Sequence, residues 1–135
     1  AGDGRTAYLS RDDCARAAAY ALAASAATNA IYDITGSVAL TNAEIAVMVG
    51  EVLERPLEPV DVSDEELVAA GVAAGVPEPI ARIWACFDTA TRLGKFAKVT
   101  DAVEKLTGKP PETLRPFLAA NKQLFLPSRV EGGAA

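Results

Sequence analysis

Acid–base, nucleophilic and metal chemistry each need particular side chains, and this 135-residue sequence supplies few of them. It contains no histidine, which excludes Ser-His and Cys-His nucleophile pairs and removes the commonest metal ligand. The neighbouring carboxylates Asp12 and Asp13 could act as a general acid and base, but acidic residues in the first turn of a helix also stabilise its dipole. We favour the dipole interpretation and predict neither a catalytic residue nor a metal site.

Two cysteines, Cys14 and Cys86, lie far apart in the sequence on predicted apolar helix faces. A thiol in such surroundings behaves as a small hydrophobic group. The pair does not indicate a disulfide framework, so we expect a reducing, cytoplasmic location.

The sequence patterns for nicotinamide chemistry are also incomplete. The turn Gly2-Asp3-Gly4 lacks the third glycine of a dinucleotide-binding loop and leads into a strand-like run. A tyrosine acid assisted by a lysine needs that lysine four residues later, and none follows Tyr8, Tyr20 or Tyr32 at this spacing. A cofactor-binding residue is therefore not predicted from the motifs.

Residues that could bind a substrate are easier to identify. Trp84 and Phe87 share one face of a predicted helix, and aromatic walls hold flat ligands, although core packing is the alternative for both. Tyr32, Thr35 and Ser37 follow or end a predicted strand, where open α/β sheets present groups to a ligand. We predict these five residues as substrate-binding.

Composition limits the classes of partner. The chain is 50% hydrophobic and 23% charged, which is typical of one globular domain. Its net charge of −5 and scattered basic residues argue against nucleic acid. The most apolar run is too short to span a membrane.

Extended runs alternate with capped helices in the first half of the chain. β-branched or alternating patterns predict strands at 7–10, 30–35 and 57–62. Ser10, Thr41 and Ser63 each precede an acidic residue by three positions, which predicts three helix starts. This alternation is typical of α/β folds rather than of helical bundles.

The second half predicts helices only. One runs from Pro79 towards Phe96, a short one is capped by Thr100 and ended by Gly108, and the last opens at residues 110–111. Apolar spacing predicts that their inward side chains are Ile80, Ile83, Trp84, Phe87, Val103, Leu106, Leu114, Phe117, Leu118 and Phe125. We predict a helix-rich α/β lobe over residues 1–128 and a flexible tail over 129–135.

Four segments, taken in order, resemble the carboxyl-terminal half of NmrA-like proteins, which are atypical relatives of the short-chain dehydrogenases/reductases. The segments are SRDDCA (10–15), YDITG with ALT (32–36 and 39–41), VDVSDEE (60–66) and LTGKPPETL (106–114). Their order and spacing match over nearly the whole chain. This family includes NAD(P)H:quinone oxidoreductases, dye reductases and redox-sensing regulators.

The resemblance implies that the chain is the substrate-binding lobe of a two-lobed, Rossmann-type protein and lacks the amino-terminal, dinucleotide-binding half. NAD(P)H would be the cofactor of the parent protein, with none bound tightly by this chain alone. The missing half, from the same gene or a separate chain, would be its partner, and a small aromatic quinone or dye its substrate. The isolated lobe is expected to be inactive.

Two alternatives stay open at this point. The parent protein could be a non-catalytic regulator that senses NAD(P)(H), as some relatives of this type do. The chain could instead be a helical interaction module that forms a homodimer through its apolar helices and strand edges.

Overall fold

The computed structural model describes residues 1–24 and 29–126, and most of the elements in these ranges are helical. The elements are β1 (Arg5–Thr6), α1 (Arg11–Ala23), β2 (Leu40–Thr41), α2 (Asn42–Leu53), α3 (Asp64–Ala73), α4 (Glu78–Arg92), α5 (Ala102–Thr107), α6 (Leu114–Ala120) and a 3-10 turn (Lys122–Phe125). The predicted helix-rich α/β class is confirmed. The predicted tail, 129–135, and the lobe boundary at 128 lie outside the described residues.

The two strands form a short antiparallel pair. Arg5 lies opposite Thr41 and Thr6 lies opposite Leu40. The Arg5 guanidinium also donates to the Ala39 carbonyl at 3.0 Å and to both carboxylate oxygens of Glu44, at 3.0 and 3.2 Å. This pair brings Arg5 next to the start of α2.

The three predicted strands are wrong. Residues 7–10, 30–35 and 57–62 form neither helix nor strand, and the pairing falls instead on residues 5–6 and 40–41. β-branched residues favour strands by packing against neighbouring strands. In the described part of the chain these runs have no such neighbour, and the Val60 side chain is 81% exposed.

The predicted helix starts are confirmed in α1, α2 and α3. Ser10 Oγ accepts the Asp13 N–H at 3.0 Å. Thr41 and Glu44 form a reciprocal capping box, and so do Ser63 and Glu66. These caps depend only on residues three positions apart, so the sequence pattern suffices to find them.

The two capping boxes should make the fold sensitive to acid. Hydrogen bonds from the Thr41 N–H and then from Arg5 lower the pKa of Glu44 below its usual 4.5, and the N–H and hydroxyl of Ser63 lower that of Glu66. A carboxylate with a lowered folded-state pKa adds stability above its unfolded pKa, and this stability is lost as pH falls through the folded value. We expect the urea midpoint of unfolding to drop between about pH 5 and pH 3.

The double variant Glu44→Gln, Glu66→Gln is the control for this acid effect. It should be less stable than the parent chain at pH 7 and should lose less stability on acidification, because these two side chains no longer titrate. An unchanged slope of midpoint against pH in the double variant would show that other groups cause the acid effect.

Later helix boundaries differ from the prediction for local reasons. Helix α4 ends at Arg92 rather than near Phe96, because Gly94 adopts a left-handed conformation with φ of 71°. Asp101, not Thr100, precedes α5. The last helix begins at Leu114, since residues 110–113 stay irregular.

The hydrophobic core of the described residues is small. Its buried apolar side chains contain no aromatic ring and are Ala17, Ala81, Ala85, Val103 and Leu118. Several side chains predicted to point inward are instead largely exposed, namely Ile80, Ile83, Trp84, Phe87 and Phe125. Alanine and glycine let α3 and α4 approach closely, and the α4 side chains Ala81 and Trp84 contact Gly71 of α3.

The exposed area is large for the mass of the chain. It amounts to 9693 Å², against about 6,700 Å² for a folded monomer of 14.0 kDa. The total includes 13 residues outside the described ranges. Even if these 13 residues contributed a full extended-chain surface of about 1,950 Å², the remaining area would exceed the roughly 6,200 Å² expected for a folded monomer of the described residues by about a quarter. Large apolar side chains contribute to this exposed area, among them Leu22, Ile31 and Val60, which are each more than 80% exposed.

Candidate functional site

The segment that carries Thr35 and Ser37 is fixed by the chain that follows α4. Thr35 Oγ1 accepts the Thr100 N–H at 2.8 Å, and the Thr100 hydroxyl donates to the Asp33 carbonyl at 2.6 Å. The Lys98 ammonium pairs with the Asp33 carboxylate. Hydrogen bonds to side chains thus replace the sheet ladder predicted for this segment.

Three backbone segments meet beside Gly36. The Gly36 N–H donates to the Ala7 carbonyl at 3.2 Å, and the Ala7 N–H donates to the Phe96 carbonyl at 3.0 Å. A Cβ atom on Gly36 would lie 1.9 Å from the Tyr8 carbonyl oxygen. Only glycine allows this approach, which sets the position of Ser37 next to it.

A cavity of about 340 Å³, here called the Tyr8 cavity, opens beside this junction. This volume is at the lower end of the range for small-molecule sites. Its mostly apolar lining comes from Tyr8, Ser37, Val38, Leu40, Met48, Glu112, Thr113, Leu114, Arg115 and Pro116. Ser37 also lines a second cavity of about 570 Å³ with Val99, Thr100, Asp101, Glu104, Pro110 and Pro111.

A second apolar surface, the α4 aromatic face, consists of Ile80, Ile83, Trp84 and Phe87. Trp84 is 46% exposed and packs over Gly71, while Phe87 is 57% exposed. The Phe87 ring also lies 6.1 Å from the ring of Phe96 between centroids. Among the described residues, Trp84 and Phe87 each keep about half of their surface exposed, so neither belongs to the core of this chain.

The five predicted substrate-binding residues do not all meet in one place. Thr35 and Ser37 lie together on the fixed segment, whereas Phe87 lies beside Phe96 and lines neither of the Ser37 cavities. Trp84 lies on the same face of α4 but lines neither of the two Ser37 cavities, and Tyr32 also lies outside both. Their role in binding a substrate remains a prediction.

Several residues of this region escaped the sequence patterns. Tyr8 and Phe96 were not selected, although each is an aromatic residue just beyond the end of an element. The pattern predicts a helix from residue 110, but residues 112 and 113 are irregular, and with 114–116 at the start of α6 they form a wall of the Tyr8 cavity. The pair Pro110-Pro111 was the available signal, because two prolines delay a helix and create an irregular segment.

The carboxylates with a shifted pKa belong to caps and ion pairs. Hydrogen bonds from Arg92 and then from Thr89 lower the pKa of Asp64, and Lys122 lowers that of Glu54 in the same way. Such shifts keep the groups charged, whereas a general acid needs a raised pKa. In the Tyr8 cavity, Arg115 is already paired with Glu51 at 2.5 Å.

The turn that carries Gly4 does not fit the phosphate of a dinucleotide. A Cβ atom on Gly4 would lie 2.4 Å from the Thr91 carbonyl oxygen, so this glycine serves close packing and leaves no cradle for a phosphate. Within ranges 1–24 and 29–126, no three His, Cys, Asp or Glu side chains cluster as metal ligands. No helix in the same ranges is long and apolar enough to cross a bilayer.

Comparison of sequences places the chain beside known reductases, although no family model matches it. It is 35% identical over 120 residues to the uncharacterized oxidoreductase YesF of Bacillus subtilis, covering 89% of this chain and 42% of that protein. It is 30% identical over 124 residues to an NAD(P)H azoreductase of Xenophilus azovorans, with coverage of 92% and 43%.

The fold of this chain is also similar to that of solved reductase structures. The NADPH-dependent quinone oxidoreductase QOR2 of Escherichia coli superposes with a TM-score of 0.83 at 26% identity, over 93% of this chain and 44% of that one. The Citrobacter triphenylmethane reductase gives 0.81 at 31% identity, over 89% and 42%. The chain matches the carboxyl-terminal half of NmrA-like NAD(P)H oxidoreductases.

The match to these NmrA-like oxidoreductases is partial in length. The chain spans less than half of each relative, while the relatives cover about nine-tenths of the chain. Both the resemblance seen in the four sequence segments and the helix-rich α/β class are confirmed. The lobe expected to bind NAD(P)H in an NmrA-like protein has no counterpart among the described residues.

Proposed function

We propose that this chain is the substrate-side portion of an NAD(P)H-dependent oxidoreductase that reduces quinone-like or dye-like acceptors. One observation carries the proposal. Nearly the whole chain is similar to parts of an azoreductase, a quinone oxidoreductase and a triphenylmethane reductase, whose names share a flat, conjugated acceptor.

The two candidate surfaces suit an acceptor of this kind. Flat conjugated molecules bind to aromatic and aliphatic walls with few polar contacts. On this proposal Trp84 and Phe87 contact the acceptor ring, and the Ser37 hydroxyl supplies a hydrogen bond. Thr35 holds the Ser37 segment in place through Thr100. Tyr32, which is 45% exposed, contributes an outer wall.

The uncovered apolar surface supports a missing partner half. Soluble monomers rarely expose large apolar patches, and such patches usually mark a surface that another protein or domain covers. We assign the covering surface to the nucleotide-binding half, from the same gene or a separate chain. That half would bring NAD(P)H to the acceptor, and this chain would orient the acceptor and exclude water. This chain alone is then inactive.

A second candidate is a non-catalytic NAD(P)H sensor. The shifted carboxylates of the described residues all stay charged at neutral pH, so none of them serves as a proton donor. A sensor needs no such donor, because it only has to change shape when the cofactor binds.

The deciding experiment uses the product of the whole reading frame that encodes this chain. We expect it to consume NADPH or NADH in the presence of a naphthoquinone or an azo dye, while this chain alone consumes neither. Nicotinamide binding without turnover of any acceptor would instead support the sensor. Reduction of an acceptor by this chain alone would contradict the proposal that cofactor binding and acceptor binding lie in separate halves.

Sedimentation of this chain separates the reductase portion from the interaction module. A stable homodimer that buries the α4 aromatic face, and that persists in the whole-frame product, would favour the module. The proposal predicts that the isolated chain sediments as a monomer and that this face stays open to an acceptor in the whole-frame product.

A further inference from the structure

Asp13 is the only charged side chain that is buried among the described residues, with 3% of its surface exposed. The dipole interpretation of Asp13 does not account for this burial. Its own N–H is capped by Ser10 at 3.0 Å, and its Oδ1 accepts from Arg16 Nη2 at 2.5 Å. Its Oδ2 accepts the Glu112 N–H at 2.8 Å, from a residue 99 positions along the chain. One carboxylate thus joins α1 to the segment before α6.

Pro111 is buried and Arg115, in the first turn of α6, pairs with Glu51, but the backbone of the segment makes few hydrogen bonds. Residues 110–113 form neither helix nor strand, and Pro110 and Pro111 have no N–H to donate. Thr107 holds the start of the segment through hydrogen bonds with Lys109. The Glu112 N–H is the first donor after the two prolines, and Asp13 accepts it.

The same segment forms a wall of both cavities that Ser37 lines. Pro110 and Pro111 border the cavity of about 570 Å³, and residues 112–116 border the Tyr8 cavity. The hydrogen bond between Asp13 and Glu112 is thus one of the contacts that set the position of this wall relative to Ser37.

We propose that Asp13 is a positioning residue of the acceptor site: its buried carboxylate sets residues 110–116 against Ser37. That the site binds an acceptor rests on the proposed function. The positioning of residues 110–116 by Asp13 is a property of the fold and does not depend on it. Asp13 touches no reacting atom, so its loss weakens acceptor binding and leaves the reaction step intact. The expected signature is a higher KM with an unchanged kcat.

Amide hydrogen exchange tests the positioning without any activity. In the whole-frame product, the Glu112 amide should be protected, and Asp13→Ala should speed its exchange by about tenfold, the effect of losing one charge-assisted hydrogen bond. Amides of α3 and α4 should keep their rates. Asp12→Asn is the matched control, because Asp12 occupies the same first turn but is exposed. Unchanged exchange at Glu112 in Asp13→Ala would overturn the proposal.

Kinetics of the same variants test the consequence. We expect Asp13→Ala to raise KM for a naphthoquinone about tenfold, with kcat within about twofold of the parent. Asp13→Asn keeps an oxygen that can accept the Glu112 N–H, so it should restore much of the affinity and serves if the alanine variant fails to fold. An equal loss of kcat and kcat/KM, or an unchanged KM beside faster Glu112 exchange, would overturn the proposal.

The two proposals fail in different ways. If the parent whole-frame product turns over no acceptor, the proposed reductase function fails, and the exchange experiment alone decides the positioning. If the parent is active and Asp13→Ala matches Asp12→Asn in both measurements, the reductase function stands and the positioning fails.

Discussion

Gly36→Ala should destabilise the protein by about 3 kcal/mol or more and lower its melting temperature by roughly 10 °C. The added Cβ would lie 1.9 Å from the carbonyl oxygen of Tyr8 and 2.9 Å from its carbonyl carbon. Both atoms belong to the backbone, so a change of side-chain rotamer cannot relieve the clash. The chain must separate there, which also breaks the hydrogen bond from Gly36 to Ala7.

Ser37→Ala is the matched control for this experiment. Ser37 is exposed, adjacent to Gly36 and already carries a Cβ atom, so its truncation should change stability by less than about 0.5 kcal/mol. Urea unfolding of both variants, followed by circular dichroism, measures the difference. A loss below about 1 kcal/mol for Gly36→Ala would mean that segments 7–8 and 36 do not meet as described.

Removing both aromatic rings of the α4 aromatic face should lower the activity of the whole-frame product far more than its stability. We expect Trp84→Ala with Phe87→Ala to reduce kcat/KM for a naphthoquinone by about 10 to 100-fold, since each ring supplies apolar contact area and ring stacking. Both rings already keep about half of their surface free, so the loss of core packing is modest.

Leu93→Ala is the control for the double variant. Leu93 caps the same helix, is 68% exposed and lies outside the aromatic face. Its truncation should leave kcat/KM within about twofold of the parent. Equal activity of the double variant and the control would exclude the α4 aromatic face from acceptor binding.

Helix starts could be predicted from the sequence because their causes are local. In each capping box, the two residues accept each other's backbone N–H within one helical turn, as seen for Thr41 with Glu44 and for Ser63 with Glu66. Gly75 and Gly108 end α3 and α5 with positive φ angles of 86° and 72°, as their positions after apolar helices indicated. None of these features requires knowledge of the rest of the fold.

Strands could not be predicted in the same way, because a strand exists only beside another strand. The run from 30 to 35 has the right residue types, but Asp33 and Thr35 bond to Thr100 rather than to a ladder, and the next residue, Gly36, bonds to Ala7. The real pairing of Arg5 with Thr41 joins residues far apart in sequence. Local preference carries no information about such a partner.

In the candidate site, too, features with a local cause could be predicted from the sequence and long-range contacts could not. Helical spacing placed Trp84 and Phe87 on one face of α4, but it predicted that this face points inward, whereas both side chains are about half exposed. The long-range bond from Asp13 to Glu112 leaves no local signal, because Asp13 also suits the first turn of α1. The need for glycine at position 36 comes from Tyr8, a residue that the patterns did not select.

The central claim is that a second, nucleotide-binding half covers the exposed apolar surface of this chain. Only the two halves together are expected to catalyse the reduction. The most direct test is to mix this chain with a separately produced polypeptide encoded immediately upstream in its reading frame. The account predicts a one-to-one complex, loss of the fluorescence of a hydrophobic dye bound to this chain, and NADPH consumption with a naphthoquinone only in the mixture. Unchanged dye fluorescence without association, or NADPH consumption by this chain alone, would contradict it.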